Sequence, residues 1–66
     1  MTKGKVKWYN EMKGYGFIES EKGEDIFVHR SGILNSHYGL QTDQEVVFDT
    51  KEGDKGMIAF NVKAIE

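Results

Sequence analysis

Five short runs of β-favouring residues follow one another at turn-sized intervals, and no window of the chain carries a helical period. The runs are Lys3 to Asn10, Tyr15 to Ser20, Asp25 to His29, Glu45 to Lys51 and Met57 to Ile65. Between them lie Asn10–Gly14, Glu21–Glu24, a longer stretch Arg30–Gln44, and Glu52–Gly56. Glu21-Lys-Gly-Glu and Glu52-Gly-Asp-Lys-Gly read as hairpin loops. Ser31-Gly-Ile-Leu has room for one turn of 3₁₀ helix and no more. A chain of 66 residues makes one domain at most, here residues 1–66. Five strands of this size predict a small closed barrel, which also removes the exposed sheet edges that a chain with no proline guards poorly.

Alternation along each strand assigns the two faces. Ile18, Ile26 and Val28 suit a barrel lumen, which sends Tyr15, Phe17, Phe27 and His29 to the outside. Val46, Phe48 and Thr50 form the inward row of the fourth run, Val62 points inward from the fifth, and Ile33 plugs one end. The first run breaks the pattern. Strict alternation puts Trp8 on the same side as Val6, and only a β-bulge near Lys7 or Trp8 turns Trp8 outward and Tyr9 inward.

The outward rings pose the functional question. Residues two apart on a strand are separated by about 6.6 Å, comparable to the spacing of bases in an extended single strand. Each flat ring can take one base face, at about 1–3 kcal/mol per base. In Lys13-Gly-Tyr-Gly-Phe-Ile-Glu-Ser, Gly14 and Gly16 are expected to clear the space in which a base lies flat on Tyr15 or Phe17. The same stretch fits the nucleic-acid-binding pattern K/R-G-F/Y-G/A-F-V-x-F/Y from Lys13 to Phe17; Ile18 replaces valine and Ser20 misses the last aromatic.

Charge is distributed to match. The net charge of −2 argues against nucleic acid at face value. However, Lys3, Lys5, Lys7 and Lys13 lie in the same N-terminal third as Trp8, Tyr9, Tyr15 and Phe17. Lys7 and Lys13 are placed to meet phosphates. Glu19, Glu21, Glu24 and Asp25 crowd a turn with no nucleophile near them and read as a solvated face that repels phosphate. Asp25 is equally suited to accept a hydrogen bond from a base edge. His29 has only His37 for company and the chain has no cysteine, so base stacking suits it better than metal ligation. Gly-Tyr-Gly is not a phosphate-cradling loop, since no helix follows it.

Gly4-Lys-Val-Lys-Trp-Tyr-Asn, Lys13-Gly-Tyr-Gly-Phe-Ile-Glu and Asp25-Ile-Phe-Val-His-Arg-Ser-Gly-Ile together resemble the cold-shock domain. The resemblance continues through Glu52-Gly-Asp-Lys-Gly-Met-Ile-Ala-Phe-Asn-Val. It implies a five-stranded antiparallel barrel of the OB type, all β, that binds single-stranded RNA and DNA with little sequence preference. Family members in bacteria act as RNA chaperones or antiterminators. The resemblance places Lys7, Trp8, Lys13, Tyr15, Phe17, Phe27, His29 and Tyr38 at the nucleic-acid face, with Trp8 outward and Tyr9 inward. Arg30 stands where many members carry another aromatic, and can still stack on a base or pair with phosphate. Tyr9, Tyr15 and Tyr38 replace phenylalanines, and a buried Tyr9 needs a partner for its hydroxyl. Met57 replaces a frequent proline near the binding edge, and Phe60, whose direction is open, replaces a small residue.

The expected molecule is a cytoplasmic monomer that is not an enzyme. It needs no cofactor or metal and has no membrane span and no small-molecule substrate. The alternative from another class is an interaction module that holds a proline-rich or extended peptide in its aromatic groove.

Overall fold

The computed structural model describes residues 1–34, 40–54 and 56–65. It contains β1 (Thr2–Asn10), β2 (Tyr15–Ser20), β3 (Asp25–His29), a 3₁₀ turn (Arg30–Gly32), β4 (Glu45–Gly53) and β5 (Gly56–Ala64). The strands close into a barrel in the order β1-β2-β3-β5-β4. β2 and β3 match the expected spans. β4 and β5 run further into their hairpin than expected, because their ladder continues to the Gly53–Gly56 pair. Among the described residues no helix is long and apolar enough to cross a membrane.

Four of the five junctions are antiparallel, and the fifth is not. β3 lies parallel to β5 through Phe27–Ile58 and Val28–Ala59. An isolated parallel bridge from Ile33 to Val62 extends the same seam beyond the 3₁₀ turn. This junction refines the expected all-antiparallel barrel: β3 and β5 can only close the ring in the same direction, and the long Arg30–Gln44 connection gives the chain room to cross over.

The lumen holds Val6, Ile18, Ile26, Val28, Ile33, Leu40, Val46, Phe48, Ala59 and Val62. Every aliphatic that alternation assigned inward is there. Phe48 is the largest fully buried side chain, and full burial of a side chain of this class stabilises by about 1.5–3 kcal/mol. Thr50 closes the inward row opposite Ala59 and is half-buried. Leu40, from the segment without strand pattern, completes the core.

Two register shifts shape the wall. Between Val6 and Trp8 the chain advances two residues while its β2 partners advance from Ile18 to Phe17, so Lys7 is the extra residue. The bulge anticipated near Lys7 or Trp8 is therefore present, and it turns Trp8 outward. A second shift lies between Val47 and Asp49, whose partners are Lys63 and Phe60, so the extra residue is on β5. There Asn61 adopts φ +52°, a left-handed conformation that asparagine tolerates better than most residues.

Ser20 ends β2 on the inner side, 6% exposed. Its hydroxyl accepts from the backbone N–H groups of Lys22 and Glu24, each at 3.2 Å. Its own N–H donates to the Glu24 carbonyl at 2.9 Å. Ser20 thus builds the β2–β3 turn. An aromatic at that position would face the lumen rather than the ring surface, so the mismatch to the sequence pattern costs the outer face nothing.

Candidate nucleic-acid interface

The outer surface of β1, β2 and β3 carries a joined group of rings. Phe17 stands opposite Phe27, and Tyr15 opposite His29. The bulge brings Trp8 opposite Phe17. Trp8 lies 5.7 Å from Tyr15 and 5.6 Å from Phe17, centroid to centroid. Phe27 lies 5.9 Å from Tyr15 and 5.8 Å from Phe17. Tyr15 and Phe27 are stacked at 26°, whereas Phe17 meets Phe27 edge-on at 77° and Trp8 meets Tyr15 at 71°. The rings therefore form a mosaic of tilted faces. Trp8 is exposed and the other three are half-buried, mainly against one another.

The two glycines between the rings do something other than clear space for bases. Gly16 faces inward and is buried. A β-carbon there would lie 2.3 Å from the Trp8 carbonyl oxygen and 2.7 Å from the Tyr9 α-carbon. The bulge presses the β1 backbone onto β2 at this point, and only glycine fits. Gly14 is also buried, at φ +75°, and a β-carbon there would lie 3.2 Å from Nε and Nη2 of Arg30. Both glycines serve the bulge and the turn that hold the rings in place.

The lysines divide into two groups. The Lys7 ammonium reaches the Asp25 carboxylate at 3.0 Å, with both side chains about half exposed. The hydrogen bond to Asp25, together with the attraction of its charge, raises the Lys7 pKa above the ordinary lysine value. Lys7 and Asp25, expected to contact phosphate and base separately, are thus joined beside the rings. Lys13 is exposed in the β1–β2 turn, where its N–H donates to Asn10 Oδ1 at 3.0 Å. Lys3 and Lys5 line a different groove with Glu19, Ser20, Glu21 and Glu45, where acids offset their charge.

His29 is exposed at the end of β3, and its Nδ1 accepts from the Ser31 N–H at 3.1 Å. The Ser31 hydroxyl lies 2.9 Å from the same nitrogen. With Nδ1 an acceptor, the neutral ring carries its proton on Nε2, which faces away from this contact and is available as a donor. Among the described residues no cluster of three His, Cys, Asp or Glu could hold a metal. Tyr38 and His37 fall outside the described residues. Tyr9 packs against the core but is only half-buried, and no buried side-chain nitrogen or oxygen among the described residues lacks a partner.

The ring surface borders a groove that reaches β5, where the family resemblance already sets Met57 near the edge and gives no place to Ile58. Phe17, Asp25 and Phe27 form one wall of a groove of about 520 Å³, and Asp54, Gly56, Met57 and Ile58 form the other. Ile58 arrives there because it pairs with Phe27 across the parallel seam, a long-range neighbour that no local pattern announces. Phe60, whose direction was open, is half-buried, with the Lys51 ammonium 5.5 Å from its ring centroid.

Comparison with known proteins agrees with this architecture. The family described as the 'Cold-shock' DNA-binding domain matches residues 2–65. The Bacillus cereus cold shock-like protein CspB is 55% identical over 60 residues, 89% of this chain and 92% of its own. The Bacillus subtilis cold shock protein CspD is 51% identical over 63 residues, covering 94% of this chain and 96% of its own. Among solved structures, the chain described as drosophila Unr CSD456 superposes with a TM-score of 0.80 at 21% identity. That match covers 98% of this chain and 26% of the fly chain, and it supports the fold alone. With a family match over nearly its whole length and relatives at about half identity, the chain belongs to the cold-shock domain family.

Proposed function

We propose that this non-enzymatic, nucleic-acid-binding domain acts in the cytoplasm as a monomer that captures single-stranded RNA and DNA with little sequence preference. Unpaired bases stack on Trp8, Tyr15, Phe17, Phe27 and His29, while Lys7 and Lys13 meet the backbone. Tyr38 belongs to the same proposed set. The observation that carries the reading is the group of four rings, 5.6 to 5.9 Å apart, on one outer face. Every base has a flat face, so such a surface accepts any sequence, whereas paired bases cannot reach it. Binding then draws hairpins toward their open form by mass action, without nucleotide hydrolysis, which is the action of an RNA chaperone.

Four or five stacked bases give roughly 5–15 kcal/mol before ordering costs, which leaves micromolar to nanomolar affinity. Few cations stand at the face, and one of them is tied to Asp25. The plot of log affinity against log salt should therefore have a slope of only about −1 to −2 on a single strand. Titration of oligothymidine against Trp8 fluorescence tests the proposal, with quenching and this shallow slope as the expected result. Quenching by a polyproline peptide and none by oligothymidine would replace it with the peptide-binding reading.

A further inference from the structure

We propose that Arg30 is a positioning residue that clamps the β1–β2 turn, and is not itself a base or phosphate contact. The inference rests on the nucleic-acid reading above, and concerns the residue at which this chain departs from the family's ring. The guanidinium Nη2 donates to the Glu11 carbonyl at 2.9 Å. A β-carbon at Gly14 would lie 3.2 Å from both Nε and Nη2 and 3.4 Å from Cζ. Nε and Nη2 are nearer than Cζ, so the fork turns its Nε–Nη2 edge toward the Gly14 side of the turn. The Arg30 backbone N–H also donates to the Gly14 carbonyl at 2.8 Å.

These contacts close the turn from outside. From inside it is held by the Gly14 N–H on the Asn10 carbonyl at 2.8 Å and the Lys13 N–H on Asn10 Oδ1. The turn carries Lys13, ends in Gly14 and leads straight into Tyr15, so its closure decides where one cation and one ring of the interface stand. Arginine suits the task because one edge of its fork can set two nitrogens against the turn while one of them donates to a carbonyl, which a lysine ammonium cannot do. Among the described residues the guanidinium has no carboxylate partner within ion-pair distance, so what holds it is the turn's own backbone. Gly14 is the counterpart, since any side chain there would meet the guanidinium.

Arg30→Lys and Arg30→Gln separate a clamp from a phosphate contact. Arg30 is exposed, so both variants keep the core, which thermal unfolding checks. For a clamp, both variants weaken oligothymidine binding about threefold to tenfold, the effect of one lost hydrogen bond. Their salt slope stays that of the parent protein. Hydrogen exchange at the amides of Gly14 and residue 30 speeds up in both. The proposal is overturned if Arg30→Lys binds like the parent while Arg30→Gln loses affinity with a slope shallower by about 0.7, the signature of one phosphate contact. Unchanged affinity and unchanged exchange in both variants would overturn it as well. If the parent protein binds no oligothymidine, the nucleic-acid reading fails on its own, and amide exchange still decides whether Arg30 clamps the turn.

Discussion

Gly16→Ala tests the reassignment of the glycines between the rings. The added methyl would sit 2.3 Å from the Trp8 carbonyl oxygen and 2.7 Å from the Tyr9 α-carbon. Both are backbone atoms, so no rotamer change relieves the contact, and β1 must lift from β2 at the bulge. Overpacking of this kind costs about 1–3 kcal/mol, and a backbone obstacle places the cost at the upper end. A domain this small holds only about 3–5 kcal/mol in total, so the variant retains roughly 1 kcal/mol. At 1 kcal/mol about one molecule in six is unfolded at 25 °C. Each kcal/mol moves the melting temperature by about 4–8 °C in a domain of this size, so a drop of roughly 12–24 °C is expected. Oligothymidine affinity, corrected for the folded fraction, falls as well, because the backbone that lifts is the one that carries the Trp8 indole. Glu19→Ala, an exposed change on the same strand, serves as control and should stay within about 0.5 kcal/mol of the parent. Circular dichroism melts paired with Trp8 fluorescence titrations read both quantities. A melting temperature within about 4 °C of the parent, together with clearly weaker binding, would refute the packing argument. It would restore the view that Gly16 makes room for a base.

Phe27→Ala removes a ring in contact with both Tyr15 and Phe17, and should weaken oligothymidine binding about 5- to 150-fold in fluorescence titration. Ser20→Ala deprives the Lys22 and Glu24 N–H groups of their acceptor, and should cost about 1–3 kcal/mol in urea unfolding, with affinity at low temperature preserved. Asp25→Asn tests the ion pair. Because the partnership with Asp25 raises the Lys7 pKa in the folded state, its contribution is complete below the ordinary lysine pKa and disappears as pH rises through the raised value. The parent's small stability advantage over Asp25→Asn in urea unfolding should therefore be present near neutral pH and absent above the lysine range.

Much of this molecule was legible because strand alternation has a period of two, and aliphatic and aromatic residues here occupy opposite phases. Ile18, Ile26 and Val28 against Tyr15, Phe17 and Phe27 needed no other information. The bulge at Lys7 was legible for the opposite reason: Val6 and Trp8 conflict under strict alternation, and one extra residue removes the conflict. The parts that were not legible depend on residues far apart in the chain. Ile58 joins the face only because β5 lies beside β3. Lys7 meets Asp25 only because β1, β2 and β3 form a meander. The purpose of Gly16 depends on how closely another strand passes, which its own neighbours do not reveal. The contacts of Arg30 with Glu11 and Gly14 were hidden because they belong to a turn whose shape no pattern describes.

The register step at Lys7 imposes a counting constraint on β1 that is independent of which amino acids fill it. Upstream of the step, β1 keeps its phase through Gly4–Ser20 and Val6–Ile18; downstream, it keeps the opposite phase through Trp8–Phe17 and Tyr9–Gly16. Deleting Lys7 would leave Val6–Ile18, Trp8–Phe17 and Tyr9–Gly16 as successive pairs of a regular ladder, so Val6 stays in the lumen and the indole stays outside. A deletion away from the step, at Lys5 for example, slides part of the strand by one place and brings a lysine to an inward position. The first hairpin therefore has one letter it can lose without turning a face over, and that letter is Lys7; what goes with it is the local bend of the wall and the partner of Asp25.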